Sequence, residues 1–229
     1  MATIVFDLDG TLADTSGDLL AAANTLFRDW GYGDDVMRHD SPEDRSTAVK
    51  GARAMMRAGL ARLNEPVDEA RIDANFDRFI EIYSAAIDVY TRLYPGAQAA
   101  LEALLEAGYR TAICTNKPET QAEMLMQSLG VRDLFGSLIG ADTLPVRKPD
   151  PAPLYASIEQ AGGARGKAVL IGDTITDRKT AEAAGLPCFL VTFGPDGHNV
   201  ADLNPEALLH NYSDLLQLVR QFFPSTPNV

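Results

Sequence analysis

The chain has 229 residues, 46% hydrophobic and 23% charged, which allows one large domain or a core with a smaller insert. Its 20 Lys and Arg stand against 32 Asp and Glu, a formal net charge of −12. Such a surface repels nucleic acid and anionic lipid, so neither is an expected partner; it also opposes a phosphorylated metabolite, but screening over roughly 8 Å leaves room for a local positive site.

The N-terminus runs straight into an apolar strand, Thr3–Phe6, with no basic leader before it, and no apolar run is long enough to span a bilayer. The only two cysteines, Cys114 and Cys188, sit in apolar runs and are expected to be buried, reduced thiols. A cytoplasmic setting is therefore expected. The first strand stops abruptly at Asp7-Leu8-Asp9-Gly10-Thr11. Positions 7 and 9 fall on one side of an extended chain, because side chains alternate with a period of two.

From residue 16 to about 90 no strand pattern appears. Ser16 is placed to cap a helix bearing Leu19, Leu20, Ala23, Phe27 and Trp30, a spacing near 3.6. Helical patterns follow over roughly 44–63 and 68–88. A loop this long without structure is rare, so the segment reads as an all-helical domain. The expected boundaries are 16–89 for this insert and 1–15 with 90–229 for the core, hinged near 12–15 and 89–94. Between Arg45 and Arg62 the insert holds five basic residues and no acidic one. Lys50, Arg53 and Arg57 share one helical face, which is either a solvated stripe or a face that meets an anionic substrate.

Four more apolar runs read as strands: Arg110–Thr115, Ser137–Gly140, Ala168–Gly172 and Cys188–Thr192. Helical patterns alternate with them at Gly96–Ala107, Pro118–Leu129, Pro151–Ala161 and Asp177–Ala184. Asp150 is placed to cap the third of these, with Pro151 in its first position, and Gly108, Gly130, Gly162 and Gly185 stand where helix ends need a left-handed residue. Continuous apolar strands alternating with helices imply an α/β fold, a Rossmann-like parallel sheet with helices on both faces. The tail after Phe223 is expected to fray.

Ligands of open α/β sheets bind outside the carboxyl ends of the strands. There stand Asp7 and Asp9, Thr115-Asn116, and Gly172-Asp173-Thr174 with Asp177 close behind; Lys148 precedes the Pro-capped helix. Four carboxylates in one pocket require a cation, and hard oxygens favour Mg²⁺. A cation beside a lysine, a hydroxyl and backbone amides makes a phosphate site.

The stretches DLDGT at 7–11, TN at 115–116, Lys148 and GDTITD at 172–177 resemble, in order, the four motifs of the haloacid dehalogenase-like hydrolases. LYPGAQAALEALLEAGYRTAICTNKPET and KPDPAPLYASIEQAGG resemble their phosphoglycolate phosphatase subgroup, and the insert resembles a type-one cap. The resemblance implies that Asp7 is a nucleophile forming an aspartyl-phosphate. It implies that Asp9 protonates the leaving alkoxide, then activates water, and offers its backbone carbonyl to Mg²⁺. Thr115 and Lys148 would hold the phosphoryl oxygens with Asn116, Gly10 and Thr11 supporting, and Asp173 and Asp177 would complete the metal site. Lys50-Gly51-Ala52 resembles the cap loop, making Lys50 and Arg53 candidates for substrate binding.

The expected reaction is Mg²⁺-dependent hydrolysis of a small phosphate monoester, with 2-phosphoglycolate the foremost substrate, by a monomer or homodimer. A sugar phosphomutase, or a non-catalytic phosphate-binding module, are the alternatives. His39, His198 and His210 show no ligand spacing.

Overall fold

The computed structural model describes residues 1–224; residues 225–229, most of the tail expected to fray, lie outside them. In chain order the elements are β1 (Thr3–Phe6), β2 (Ala13–Asp14), α1 (Ser16–Asp29), α2 (Pro42–Val49), α3 (Ala52–Arg62), α4 (Glu69–Ala74), α5 (Phe76–Ala85), β3 (Arg92–Leu93), α6 (Ala97–Glu106), β4 (Arg110–Cys114), α7 (Glu119–Ser128), β5 (Ser137–Ile139), α8 (Ala152–Gln160), β6 (Ala168–Gly172), α9 (Ile175–Ala184), β7 (Cys188–Val191), β8 (Ala207–Leu209) and α10 (Leu215–Phe222). They form two compact units. One is Met1–Ala13 with the chain from Leu93 onward, the other Asp14–Arg92. The chain crosses between them within β2 and β3.

The first unit is built on a six-stranded sheet in the order β5-β4-β1-β6-β7-β8, every pairing parallel. Every residue of β1, β6 and β7 is buried, the condition that uninterrupted Val, Ile, Leu and Phe runs satisfy when both sheet faces are covered. β1 lies between β4 and β6, with Phe6 level with Ile113 and Ile171. Asp7 therefore leaves the sheet beside the ends of both neighbours, where the strand order departs in two directions, the place at which open α/β sheets bind their ligands. Five of the sheet's strands lie at the expected apolar runs; the sixth, β8, is a three-residue edge strand too short to stand out by pattern.

The left-handed turns at Gly108, Gly130, Gly162 and Gly185 are present, with φ of 82°, 71°, 78° and 64°. Two caps differ from expectation. Thr15, not Ser16, occupies the cap of α1, and Asp14 accepts the Ser16 amide and hydroxyl at 3.2 and 2.6 Å. Pro151 itself caps α8, while the Asp150 carboxylate one step back accepts the Ala152 amide at 2.8 Å.

The second unit is helical between its end strands, with Leu19, Leu20, Ala23 and Phe27 of α1 buried. The helix expected over 44–63 is two, because Gly51 adopts φ of 93° and breaks the run between α2 and α3. The pattern over 68–88 likewise splits at Asn75, whose side-chain amide donates to the Arg71 carbonyl at 2.8 Å. Buried Asp18 in α1 accepts the amides of Tyr90 and Thr91 and the Thr91 hydroxyl at 2.7–3.1 Å, anchoring the returning segment ahead of β3.

Cys114 and Cys188 are free and buried. Burial pushes the Cys114 thiol up to about 12, with Lys148 opposing and Asp7 and Asp177 adding to the rise. Since the thiolate is the reactive form, neither cysteine is expected to react with iodoacetamide in the native protein at neutral pH. Mass spectrometry should count no modified thiol before denaturation and two after it; native labelling would contradict the burial.

Candidate active site

β1 delivers Asp7 to the sheet rim and holds it there, since its amide donates to the Ile171 carbonyl of β6 at 2.8 Å. The chain then turns at once. Leu12 and Ala13 donate to the Leu8 carbonyl at 2.9 and 3.2 Å, and Gly10, at φ of 81°, returns its amide to Ala13 at 2.9 Å. The turn aims Thr11 Oγ1 at Asp173 Oδ1, 2.9 Å away. A Cβ at Gly10 would collide with the other Asp173 oxygen, Oδ2, and one at Gly194 would lie 2.7 Å from the Gly10 carbonyl. Both glycines thus keep space beside Asp173.

Asp173 comes from the β6–α9 turn and Asp177 from the first turn of α9. Asp177 closes a capping box with Thr174 and is fully buried. Its Oδ2 accepts the Thr174 hydroxyl and amide at 2.7 and 3.1 Å, and its Oδ1 accepts Lys148 Nζ at 2.6 Å. Lys148 also lies 3.1 Å from Asp7 Oδ1. One lysine, 3% exposed, thus spans two carboxylates. Burial pulls its pKa down, but Asp177 and Asp7 overcome that and hold the ammonium above the ordinary lysine range.

One oxygen each from Asp7, Asp173 and Asp177 lie within 4.8 Å of one another. Their electrostatics are unfavourable as they stand. Burial, opposed by Lys148 and reinforced by Asp177 and Asp9, raises Asp7 to about 6. Burial first, then Asp177 and Asp7, hold Asp173 well above the carboxylate range. Asp173 Oδ2 is buried and has no hydrogen-bond partner among the described residues. An orphaned carboxylate oxygen in a cluster of three carboxylates, beside a space kept clear by glycine, is the donor set a hard divalent cation fits. Asp177 differs from the other two, because both its oxygens already accept protein donors.

Asp9 stands apart from that cluster. Its carboxylate accepts Lys117 Nζ at 2.8 and 3.1 Å. Thr115, past the end of β4, is buried, and its Oγ1 accepts the Lys117 amide at 3.2 Å. Asn116 is exposed and donates to the Lys148 backbone carbonyl at 3.0 Å, linking the turns that carry Thr115 and Lys148.

In the helical unit the basic stripe is largely neutralised from within. Arg53 bonds Asp73 at 2.8 Å and lies 4.0 Å over the Phe76 ring; Arg57 grips Glu69 with two bonds of 2.7 Å; Arg62 pairs with Asp44. Lys50, at the α2–α3 break, is exposed and carries no ion pair among the described residues.

Three residues near the rim carry no role in the sequence reading above. Lys117 follows Asn116 directly, so adjacency to the strand end was the available signal. Gly194 and Tyr212 had none: the Tyr212 hydroxyl, buried, reaches the Thr11 carbonyl at 2.8 Å from 201 residues away.

Gly10→Ala is expected to destabilise the metal-free core unit by about 1–2 kcal/mol from the positive φ alone. It also displaces Asp173 Oδ2, so titration with Mg²⁺ should show a weakened thermal shift. An unchanged shift would mean that Asp173 Oδ2 is not a ligand.

The model of the family described as haloacid dehalogenase-like hydrolase matches residues 4–191. A phosphoglycolate phosphatase of Caulobacter vibrioides is 34% identical over 230 residues, covering 99% of this chain and 94% of that one. One of Cereibacter sphaeroides is 38% identical over 221 residues, covering 96% and 98%. A crystal structure described as a predicted phosphoglycolate phosphatase from Haemophilus somnus superimposes with a TM-score of 0.78 at 26% identity, over 95% of this chain and 97% of that one. The chain belongs to the haloacid dehalogenase-like hydrolase family, in its phosphoglycolate phosphatase-type branch.

Proposed function

We propose that this phosphatase hydrolyses 2-phosphoglycolate, a small phosphate monoester, through an aspartyl-phosphate on Asp7. The observation that carries the reading is the meeting of Asp7, Lys148 and Asp173 at one sheet rim, with the Asp173 oxygen left buried and unpartnered. Nearly full-length similarity to proteins named phosphoglycolate phosphatase supports the choice of ester. In the first half-reaction an Asp7 oxygen attacks phosphorus, the phosphorus–alkoxide bond breaks, and Asp9 gives the alkoxide a proton. In the second, Asp9 takes a proton from water, the water oxygen bonds phosphorus, and the Asp7–phosphorus bond breaks to release phosphate. Lys148 and Thr115 hold the equatorial oxygens, on which charge spreads. Asp7 and Asp173 would hold Mg²⁺, with the Asp9 carbonyl; Asp177 fixes Lys148 and the β6–α9 turn. When bound, the ion supplies positive charge against the carboxylates and the phosphoryl oxygens. Lys50 and Arg53 remain the insert's candidates for meeting the substrate carboxylate, Arg53 on condition that it leaves Asp73. The two free, buried thiols support a reducing, cytoplasmic setting, and no helix among the described residues is long and apolar enough to cross a membrane.

The decisive assay is release of inorganic phosphate from a panel of esters with Mg²⁺. The reading stands if 2-phosphoglycolate has the highest kcat/KM. Isomerised sugar phosphate without free phosphate would replace hydrolysis by mutase chemistry, and no turnover of any ester would leave a binding module. Arg53→Ala is expected to raise KM for 2-phosphoglycolate more than for a neutral ester; equal effects would remove it from selectivity.

The metal carries a separate expectation. Asp7's folded pKa, about 6, lies above its ordinary 3.8, so the folded metal-free protein holds this proton more tightly than the unfolded chain does. The stability from that proton is complete below about 3.8 and is lost as pH rises through about 6. A cation takes the proton's place, so the melting-temperature rise given by Mg²⁺ should be small at pH 5 and large at pH 7.5, and EDTA should reverse it. A shift independent of pH across this window would exclude Asp7 as a ligand.

A further inference from the structure

Lys117 and Asp9 form a partly buried lysine–carboxylate pair in the core unit, and the reaction scheme uses only the carboxylate. The Lys117 ammonium donates to both Asp9 oxygens, at 2.8 and 3.1 Å. Among the described residues no other group bonds that carboxylate, and the two side chains are 3% and 15% exposed. The lysine backbone is held on both sides. Its amide donates to Thr115 Oγ1 at 3.2 Å, and its carbonyl accepts the Ala141 amide at 2.9 Å. A free lysine stem samples many rotamers. Here that stem is buried and rooted in the turn that follows β4, so its head has a fixed reach. Asp9 follows Leu8 in a turn that fixes its backbone, but nothing on that turn fixes its side-chain torsion. Proton transfer requires the carboxyl oxygen within hydrogen-bond reach of the leaving oxygen, so a rotating carboxyl is a poor acid and a poor base.

We infer that Lys117 is a positioning residue that orients the Asp9 carboxylate for both proton transfers. The inference rests on the reading of Asp9 as the acid and base. It assigns a role to the residue after Thr115-Asn116 that contact with phosphate alone does not require.

A double-mutant cycle on kcat/KM for 2-phosphoglycolate tests it. Lys117→Met should lower kcat/KM at least about tenfold, whereas adding it to Asp9→Asn should cost no more than about threefold further, because a residue acting through Asp9 has nothing left to orient. Lys117→Arg, which can still bridge both oxygens, should recover most of the loss. Lys117→Gln, which keeps one donor and the stem, repeats the cycle should the methionine variant fail to fold. Multiplication of the two single losses in the double variant, or an unaltered Lys117→Met enzyme, overturns the inference. p-Nitrophenyl phosphate separates the two readings, since its leaving group departs without a proton. Asp9→Asn should spare kcat/KM for that ester, and equal losses on both esters would refute the role of Asp9 itself.

Discussion

Asp7→Asn is expected to lower turnover by roughly 10⁴-fold or more while leaving the core unit as stable as the wild type, or slightly more so. The carboxamide has the carboxylate's shape. Its carbonyl oxygen can still accept the Leu8 amide, a 2.7 Å bond in the native site, and the backbone bond to Ile171 is untouched. Lost are the nucleophilic lone pair of an anion and one negative charge. In a cluster with Asp173 and Asp177, removal of that charge relieves repulsion, which is why stability is not expected to fall. Two measurements check the result together. Thermal melting establishes that the fold survives, and rapid acid quenching with a radiolabelled ester reports the covalent intermediate. Wild type should carry label on Asp7 and the variant none. Turnover within tenfold of wild type, or label on the variant, would remove Asp7 as the nucleophile.

Where sequence and structure agree, one physical constraint did most of the deciding. A strand stretch buried on both faces is largely apolar, so the runs Ile4–Phe6, Ala112–Cys114, Ala168–Gly172 and Cys188–Val191 of β1, β4, β6 and β7 stand out from their surroundings, and the polar residues that follow each one mark the rim. Asp7, Thr115 and Asp173 could be read in this way because each is the first polar residue past such a strand. Helix ends marked by left-handed glycines were equally legible, since few other residues accept that conformation. The helical insert was harder. Its amphipathic periods run through Gly51 and Asn75 without a change of phase, so two breaks went unread. Its basic stripe looked free because Asp73 and Glu69, the partners of Arg53 and Arg57, lie 20 and 12 residues away. β8 and Tyr212 show the same limit in the core. Three residues at a sheet edge make no pattern, and a hydroxyl that reaches the Thr11 carbonyl across 201 residues leaves no local trace.

Lys148→Met is expected to destabilise the metal-free core unit by roughly 3–5 kcal/mol, because it leaves buried carboxylates without their counter-charge. At about 2–4 °C per kcal/mol for a unit of this size, its melting temperature should fall by roughly 6–20 °C at neutral pH. Methionine fills nearly the same volume as the lysine stem, so the loss measures charge rather than packing. Lys148 Nζ lies 2.6 Å from Asp177 and 3.1 Å from Asp7, and at least one of those carboxylates must take up a proton or hydrate when the ammonium goes. The ammonium holds Asp7 down, so its loss raises that pKa further, and the deficit should shrink as pH falls from neutral toward about 6, below which Asp7 is protonated in the wild type as well. Mg²⁺ should restore part of it at neutral pH by supplying the missing charge, yet activity should stay low, because the lysine proposed to hold the phosphoryl oxygens is still gone. Adding Asp177→Asn should recover stability, the sign of a buried pair whose partners are costly only when separated. A Lys148→Met protein that melts within about 2 °C of wild type in EDTA, or whose deficit ignores pH, would mean that the three carboxylates are not held together by this lysine. The assignment of the site to phosphoryl transfer would then lose its electrostatic basis.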